Sequence, residues 1–397
     1  MAPRSNHDSL GVVQVIETLG MGGAERLAVQ IAEERARAGD HSCLYILCDD
    51  IPQGVALSQA VTVRRLGINR ASVRNPLKFL VTLFRGREAL VNALDEDGID
   101  IVQTHLPGAN FWGLLLQLNG QASCIPTIHN NREFDYGDSD HPLRARFRRS
   151  AYRLMMKRCP AVVAVSRLVK DSMVEQLQLS DDEAETMVVV PNGVPLPEPM
   201  GSSERRGIRG RFACPDEVPM ILAAGRHTTQ KNFTTLIEAA ALLRDRGIDF
   251  RLIIAGDGEL RPHHIDLVNS LELEDVVALP GILTDLGKII QAADLFVLPS
   301  LWEGLPLVLL EAMAAGCAVL GTRIPGIGEI LRDGETGRIV APGDVKALAD
   351  AMDELVGAPE ERRRLAAGAR MLVESQYSFD RVGRDLGELY HRIVDQH

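Results

Sequence analysis

The chain has 397 residues, of which 46% are hydrophobic, so it is long enough to bury the cores of two domains of ordinary size. Its formal net charge of −11 disfavours non-specific binding to nucleic acid, and an aromatic content of only 4% argues against a binding surface of stacked aromatic rings. We therefore expect no nucleic-acid partner for this protein.

Apolar, strand-like runs alternate with helical segments through the first half of the chain. Residues 12–16 form a buried-looking strand, and the helix that follows Gly22 and Gly23 carries its apolar residues on one face. Strand-like runs then recur at 43–48, 61–66, 99–104, 125–129, 161–165 and 186–190. Such alternation is typical of a parallel, doubly wound sheet, which we expect over residues 1–190.

The second half repeats this architecture after a break. The segment 191–218 is rich in Pro, Gly, Ser and charged residues, which predicts a linker. A second alternation of strands and helices occupies 219–375, and the helical residues 376–397 are expected to cross back to the first domain. The sequence thus predicts an α/β protein of two Rossmann-like domains, each with a doubly wound parallel sheet, and a cleft between them.

Two carboxylates lie near the end of a strand in the second domain. Glu303 falls in the loop after the buried-looking strand 294–300, and Glu311 falls inside the next helix. Other glutamates, such as Glu17 and Glu25, have the same spacing, so the context rather than the spacing favours a site. Ligands bind at the carboxyl edge of the sheet in open α/β proteins, and both glutamates are expected there.

Two basic residues follow the first strand of the second domain. Arg226 and Lys231 lie between the strand 220–224 and the helix that starts at Phe233. A nucleotide-sugar donor leaves a nucleoside diphosphate, and Arg, Lys and helix amino termini can neutralise its developing charge without a metal. Asp257, which follows the next strand, is at least as well suited to a structural turn as to a ligand contact.

Two histidines and a glycine-rich turn mark the ligand edge of the first domain. His105 and His129 each end a strand, where a single histidine is commonly structural but two together favour a site. Gly22 and Gly23 separate the first strand from the first helix, so a ligand can approach the backbone there. The dinucleotide pattern Gly-x-Gly-x-x-Gly fails because Glu25 occupies the third Gly position, which disfavours a nicotinamide cofactor.

Together these motifs resemble the retaining GT-B glycosyltransferases of family GT4, also called group 1. The Glu303–Glu311 segment is similar to the Glu-x7-Glu signature of that family. The other matching segments are 22–25, His129, 191–194, 225–226 with 231–232, and 255–258. In order they cover nearly the whole chain, although Asn232 stands where the family often carries Gly.

The resemblance implies that the second domain binds the donor diphosphate. Arg226 and Lys231 would contact the pyrophosphate, and Asp257 lies at the same edge. Gly22 and Gly23 of the first domain would also contact the diphosphate and would shape the acceptor side.

The resemblance also implies contacts to the sugar and to the ribose. Glu311 would accept hydrogen bonds from the ribose hydroxyls, whereas Glu303, with the backbone of Gly304 and Leu305, would face the hydroxyls of the hexose. His129 would contact the hydroxymethyl group of the donor sugar near the reacting centre. The residues expected to carry the reaction are His129, Glu303, Arg226 and Lys231, and those expected on the acceptor side are His105 and Asn130.

The sequence therefore predicts a retaining glycosyltransferase that needs no metal and no cofactor. It would transfer a hexose or an N-acetylhexosamine from a nucleoside-diphosphate sugar, UDP being favoured and GDP next, to a glycan or lipid-linked acceptor. Two alternatives stay open. One is a sugar-phosphate enzyme of the same fold, such as a phosphorylase or an epimerase, and the other is a catalytically silent nucleotide-binding scaffold.

Further features of the sequence concern metals, location and membranes. Asp138 and Asp140 form an Asp-x-Asp motif, the metal signature of the other large glycosyltransferase fold, but they lie in a polar loop and we interpret the motif as chance. The amino terminus has no apolar signal segment and no run reaches the length of a membrane span, so we expect a cytoplasmic protein. The stretches 64–87 and 144–158 each carry seven basic residues and no acidic one. They are either solvated helix faces or a surface for peripheral contact with an anionic membrane.

Overall fold

The protein forms two compact units. The structure is a computed structural model that describes residues 9–19, 23–48, 59–68, 76–131, 133–134 and 142–396. Unit 1 comprises residues 1–192 together with 380–397, and unit 2 comprises residues 193–379.

Unit 1 is built on a seven-stranded sheet whose strand order is β3-β2-β1-β4-β5-β6-β7. Every pairing in this sheet is parallel. The strands are β1 Gly11–Ile16, β2 His41–Ile46, β3 Thr62–Arg65, β4 Ile101–His105, β5 Ser123–Ile128, β6 Val162–Ala164 and β7 Met187–Val189. The helices that connect them are α1 Gly23–Arg37, α2 Pro76–Asp97, α3 Leu106–Leu118, α4 Pro142–Arg158, α5 Arg167–Leu177 and α6 Asp181–Glu185.

Unit 2 repeats this plan on a six-stranded sheet of order β10-β9-β8-β11-β12-β13, again with parallel pairings. The strands are β8 Met220–Ala224, β9 Arg251–Ala255, β10 Val277–Gly281, β11 Leu295–Leu298, β12 Ala318–Thr322 and β13 Arg338–Val340. The helices are α7 Ser202–Gly210, α8 Phe233–Asp245, α9 Arg261–Ser270, α10 Leu286–Ala292, α11 Leu307–Ala314, α12 Pro325–Gly328, α13 Val345–Gly357 and α14 Pro359–Leu372, and a π-helical turn Val373–Tyr377 follows. The predicted α/β class with two doubly wound parallel sheets is confirmed.

The central strands are apolar on both faces because helices cover both sides of each sheet. Residues of β1 and β2 divide between two clusters, one that includes Val13 and Tyr45 and one that includes Ile16 and Leu44. In unit 2 the strands β8, β9, β11 and β12 contribute to one large cluster that also contains Phe233 of α8. Buried strands of this kind fix the positions of the loops at their carboxyl ends.

The segment expected to be a linker, 191–218, contains a packed helix. Arg209 of α7 is fully buried, and its Nη1 donates to Asp294 Oδ2 at 2.8 Å. Its Nη2 donates to the carbonyl oxygens of Pro215 at 2.8 Å and of Val218 at 2.5 Å. Because one guanidinium ties these loops to the start of β11, the segment is part of unit 2. Composition alone gave no sign of this anchor.

The last helix, α15 Phe379–Asp395, packs on the sheet of unit 1. Buried Arg35 of α1 joins helix α1 to helix α15. Its Nε donates to Asp40 Oδ2 at 2.6 Å, and its Nη1 donates to the carbonyl oxygen of Gly383 in α15 at 3.0 Å. The same guanidinium lies over the ring of Tyr390, 5.8 Å from its centroid. Helix α15 is therefore a structural part of unit 1, although it is reached through unit 2.

Within the described parts of the chain, we find no helix that combines the length and the apolar character needed to span a bilayer.

The contact between α15 and Arg35 predicts that replacing a helical glycine with alanine lowers stability in α15 but raises it in α7. A Cβ on buried Gly387 would lie 2.6 Å from Arg35 Nη1, and Arg35 cannot swing away without losing its bonds to Asp40 and Gly383. We expect Gly387→Ala to lower the free energy of unfolding by about 1–3 kcal/mol. In the control, Gly207→Ala in α7, the new Cβ meets nothing within 4 Å, so helix propensity should raise stability by up to about 1 kcal/mol. Urea denaturation checks both, and equal stability of the two variants would contradict the packing.

Candidate active site

The loops that follow β8, β9 and β11 meet at the carboxyl edge of unit 2, because these strands are neighbours in the sheet. The first two loops touch backbone to backbone. A Cβ on Gly256, whose φ is +130°, would lie 1.9 Å from the carbonyl oxygen of Gly225. The His227 N–H donates to the carbonyl of Asp257 at 2.9 Å, which fixes the loops in register. The loop that follows β9 thus fixes the position of the loop between β8 and α8.

An ion pair joins the first of these loops to the loop after β11. Lys231 Nζ lies 2.5 Å from Glu303 Oε1, and the two side chains are only 15% and 8% exposed. The contact brings together two residues that the sequence placed in separate roles, one at the diphosphate and one at the hexose. The lysine and the carboxylate neutralise each other.

Two further residues hold the carboxylate, and the sequence gave no role to either. Ser300 Oγ donates to Glu303 Oε1 at 2.7 Å, and Gln230 Nε2 donates to Glu303 Oε2 at 3.2 Å. Gln230 Nε2 also donates to the carbonyl of Trp302 at 3.0 Å. Their positions in the sequence could have indicated a role at the site, because Ser300 follows a strand at the ligand edge and Gln230 adjoins Lys231.

Arg226 and Asp257 are both exposed at this edge. Among the described residues, Arg226 has no ion-pair partner, so its charge is available to a ligand. Asp257 Oδ1 accepts from the N–H of the next residue, Gly258, at 2.8 Å, and the carbonyl of Asp257 accepts from the N–H of His227. The structural alternative for Asp257 therefore has a direct contact in its favour.

The remaining predicted residues of unit 2 lie on the loop after β11 and on helix α11. Gly304 and Leu305 are buried, and a Cβ on Gly326 would lie 2.3 Å from the carbonyl oxygen of Glu303. The backbone of this loop is thus pressed against the start of α12. Glu311 is half-buried inside α11.

A buried histidine pair lies behind the loop that carries Arg226. His227 Nδ1 and His264 Nδ1 are 2.8 Å apart, and His264 Nε2 is 3.3 Å from Thr234 Oγ1. Burial lowers the pKa of His227 and of His264 to about 4, so both rings are neutral at physiological pH. The pair links α9 to the loop after β8, and the sequence analysis did not find it.

In unit 1 the two predicted histidines are in contact. His105 Nδ1 lies 3.1 Å from His129 Nε2, and His105 Nε2 lies 2.8 Å from Gln14 Oε1. His105 is fully buried with both ring nitrogens occupied. The expected acceptor-side role of His105 stays a prediction, and its contacts show that it supports the ring of His129.

The hydrogen bonds continue from the histidines into the sheet. Gln14 Nε2 lies 3.5 Å from the hydroxyl of Tyr390, which donates to Gln103 Oε1. Gln103 Nε2 in turn donates to Thr127 Oγ1 at 2.8 Å. A polar chain therefore runs from the edge of unit 1 through β1, β4 and β5 to helix α15.

These hydrogen bonds determine which ring nitrogen of His129 carries the proton. Burial lowers the pKa of His129 to about 4 and holds that of His105 well below its usual range, so both rings are neutral. With the amide of Gln14 oriented as found, His105 Nε2 carries the proton and its Nδ1 accepts from the Nε2–H of His129. The other nitrogen of His129, Nδ1, is then a hydrogen-bond acceptor.

The remaining predicted residues lie outside the described residues or near the ends of elements of unit 1. Gly22 lies outside the described residues, as do Asp138 and Asp140. Gly23 is exposed as the first residue of α1, and Asn130 is half-buried directly after His129.

The comparison with known families covers both units. Residues 21–197 match the sequence model of Glycosyltransferase Family 4, and residues 204–371 match that of the glycosyl transferases group 1. The chain belongs to the group 1 glycosyltransferases. This confirms the family that the motifs indicated.

Two curated relatives illustrate how far the likeness extends. Alpha-D-kanosaminyltransferase from Streptomyces kanamyceticus is 30% identical over 61% of this chain and 63% of its own length. The putative glycosyltransferase EpsD from Bacillus subtilis is 30% identical over 50% of this chain and 51% of its own length. The chain thus spans between half and two thirds of the length of these relatives, 51% of one and 63% of the other.

Solved structures show the same fold over nearly the whole chain. A sucrose-phosphate synthase from Thermosynechococcus elongatus superposes with a TM-score of 0.80 at 21% identity, covering 98% of this chain and 100% of the other. The Anabaena protein Alr3699/HepE, solved in complex with UDP-glucose, gives a TM-score of 0.78 at 18% identity, with 96% and 100% covered. Both likenesses establish the GT-B fold.

The Lys231–Glu303 pair predicts a non-additive response to mutation. Lys231→Met leaves the Glu303 carboxylate buried without its counter-ion, so we expect a loss of about 1–3 kcal/mol in the free energy of unfolding. In Lys231→Met/Glu303→Gln the uncharged amide keeps its contacts with Ser300 and Gln230, and much of the loss should be recovered. Denaturation of both single variants and the double variant gives the coupling energy. Strictly additive effects would show that the pair has no energetic role.

Proposed function

We propose that this chain is a retaining glycosyltransferase that moves a hexose or an N-acetylhexosamine from a nucleoside-diphosphate sugar to a glycan or lipid-linked acceptor. The observation that carries the proposal is the pair of basic side chains at the carboxyl edge of unit 2. There Arg226 is exposed, and Lys231 is fixed by Glu303 beside it in the adjoining loop. Family membership supports the reaction class.

The arrangement of charges suits a diphosphate. Arg226 has no ion-pair partner among the described residues and would contact the pyrophosphate with its guanidinium. Lys231 would shift from Glu303 towards the leaving phosphate as negative charge develops there. Glu303, still held by Ser300 and Gln230, would then have an oxygen for a hydroxyl of the sugar. The ion pair thereby keeps both groups in place before the donor binds.

The other residues receive complementary roles under this proposal. Glu311 binds the ribose hydroxyls, and the backbone of Gly304 and Leu305 lines the sugar position. His129 offers Nδ1 as an acceptor to a hydroxyl of the donor sugar, and His105 holds the ring of His129 by the 3.1 Å contact. Asn130, adjacent to His129 in the chain, is assigned to the acceptor side.

The proposed reaction is a front-face substitution. The bond between the anomeric carbon and the phosphate oxygen breaks, and the acceptor oxygen forms its bond to that carbon on the same face, which retains configuration. The acceptor hydroxyl passes its proton to the leaving diphosphate. No carboxylate nucleophile is needed, so catalysis rests on positioning and on stabilisation of the diphosphate by Arg226 and Lys231.

We propose UDP as the favoured nucleotide and GDP as the next, with no metal in the reaction. A UDP-glucose complex exists for the Anabaena protein, whose fold matches this chain at a TM-score of 0.78. That precedent supports a UDP-sugar donor. The two cations at the edge provide the charge that a metal supplies in other transferases.

A donor panel tests this function directly. We expect slow hydrolysis of UDP-hexoses or UDP-N-acetylhexosamines without an acceptor, measured as nucleotide release, and we expect it to persist in excess EDTA. Arg226→Gln should lower turnover by about 10²–10³-fold, because it removes a charged contact to the transferring group. Its melting temperature should be unchanged, since Arg226 is exposed.

Exposed Arg206, on α7, provides a control for the loss of one positive charge. Arg206→Gln should hydrolyse donors like the native chain. Hydrolysis of no nucleotide sugar in the panel would overturn the proposed reaction, and full activity of Arg226→Gln would overturn the phosphate assignment. Activity lost in EDTA and restored by Mg²⁺ or Mn²⁺ would implicate Asp138 and Asp140.

We also propose peripheral contact with an anionic membrane through helices α2 and α4 of unit 1, which both pack against α3. Phe84 is 68% exposed on α2, and Phe147 is 64% exposed on α4. Exposed Arg85 and Arg146 lie next to them in the chain. Aromatic side chains among basic ones suit the interface of a bilayer. Arg64 does not belong to this surface, because it is paired with Glu96 and Asp97.

Flotation with vesicles tests the membrane contact. We expect binding to anionic vesicles at low salt, with each basic residue contributing about 1 kcal/mol, and release at high salt. Phe84→Ser/Phe147→Ser should weaken binding at both salt concentrations, because it removes apolar anchors rather than charge. Absence of flotation at low salt would leave these residues as solvated helix faces.

A further inference from the structure

Three side chains of different chemistry converge at the amino edge of the sheet in unit 1. His41 and Cys43 are alternate residues of β2, so their side chains lie on the same face of the sheet. Asp97 is the last residue of α2, which packs over that face. One ligand atom from each of the three lies within 4.8 Å of the other two. This edge is opposite to the candidate active site, so the reaction assigns these residues no role.

The two distances from the Cys43 sulfur match those of a tetrahedral metal site. Cys43 Sγ lies 3.6 Å from His41 Nε2 and 3.8 Å from Asp97 Oδ2. With Zn–S near 2.3 Å and Zn–N or Zn–O near 2.1 Å, tetrahedral angles place the ligand atoms about 3.6 Å apart. A single ion can therefore contact all three atoms after small side-chain movements.

A cation already occupies one side of this cluster. Arg64 of β3 donates to Asp97 from Nε at 2.7 Å and from Nη2 at 2.5 Å. The hydroxyl of Tyr45 donates to the same carboxylate at 2.6 Å. Arg64 also donates to exposed Glu96 at 2.6 Å, so the guanidinium keeps a partner when it leaves Asp97.

We propose that His41, Cys43 and Asp97 form a zinc-binding site in which the metal displaces Arg64 from Asp97. The ligand set favours Zn²⁺ or a similar borderline ion over Mg²⁺ or Ca²⁺, which prefer oxygen ligands throughout. Three protein ligands leave one coordination position for water. The ion would tie the start of β2 to the end of α2.

The charges balance when the ion binds. Burial beside Asp97 raises the pKa of the Cys43 thiol to about 12, so the metal-free thiol is protonated. On binding, the thiol proton goes to solvent and the sulfur becomes a thiolate ligand. Thiolate and carboxylate together neutralise the divalent ion, and Arg64 turns to Glu96. Exposed His41 provides the route of entry from solvent.

Metal titration of the purified full chain tests the site. We expect one Zn²⁺ per chain by calorimetry, and with Co²⁺ as the probe a thiolate-to-metal absorption band in the near ultraviolet. His41→Ala is the main variant, because His41 is exposed and its replacement leaves the core intact. It should weaken Zn²⁺ binding by about 10–100-fold or more. Cys43→Ser should abolish the Co²⁺ band, whereas the control Cys48→Ser should keep it.

Arg64→Gln gives the most specific readout, because it removes the competing cation and should tighten Zn²⁺ binding. A purely structural ion cluster would not respond in this direction. The proposal is overturned if the native chain shows no thiolate band with Co²⁺, or if His41→Ala binds Zn²⁺ like Cys48→Ser. It is also overturned if Arg64→Gln binds Zn²⁺ no more tightly than the native chain. None of these outcomes depends on the proposed transfer reaction.

Discussion

The buried polar chain of unit 1 is the constraint on which the rest of that unit depends. Gln14 and Gln103 are directly opposite each other in β1 and β4 and are buried in the sheet. A buried amide group without a partner costs about 1–3 kcal/mol. Within the sheet, His105 and Thr127 each bond one end of one amide, which leaves the other end of each for a polar group from another element. The hydroxyl of Tyr390 meets this requirement. Helix α15 must therefore return to this sheet, and His105 and His129 are aligned by the same bonds.

Unit 2 also has polar groups of low exposure that need partners, but these groups are charged side chains instead of amides. Its ligand edge carries Lys231 and Glu303 with little exposure, and each would be costly alone. Paired with each other and supported by Ser300 and Gln230, the two charges each have a partner at this edge. In both units the polar groups at the carboxyl edge are fixed by residues behind them. Loops with the same backbone but other supporting side chains would not hold these groups in place.

The sequence predicted what depends on local pattern and failed where partners are distant. Strand periodicity was sufficient for both sheets, because an apolar run flanked by helices has few other structures available. The contact between Lys231 and Glu303 could not be predicted, since 72 residues separate them. Arg209 fell in a segment whose composition resembles a linker, although its guanidinium is completely buried. The glutamines in β1 and β4 were a readable signal, because a lone polar residue inside a buried strand needs a partner. The same limit applies to Cys43 and Asp97, which only the fold brings together.

The two histidine pairs explain why charge at these edges resides on few residues. His105 with His129, and His227 with His264, are close pairs of rings whose pKa values burial holds far below neutrality. Neutral rings can bond to each other, since one donates where the other accepts, whereas two protonated rings would repel. Each pair thus joins neighbouring elements behind an edge without adding charge to it. Under the proposed function, the positive charge that meets the diphosphate is then that of Arg226 and Lys231, and the histidine rings behind the edge add none.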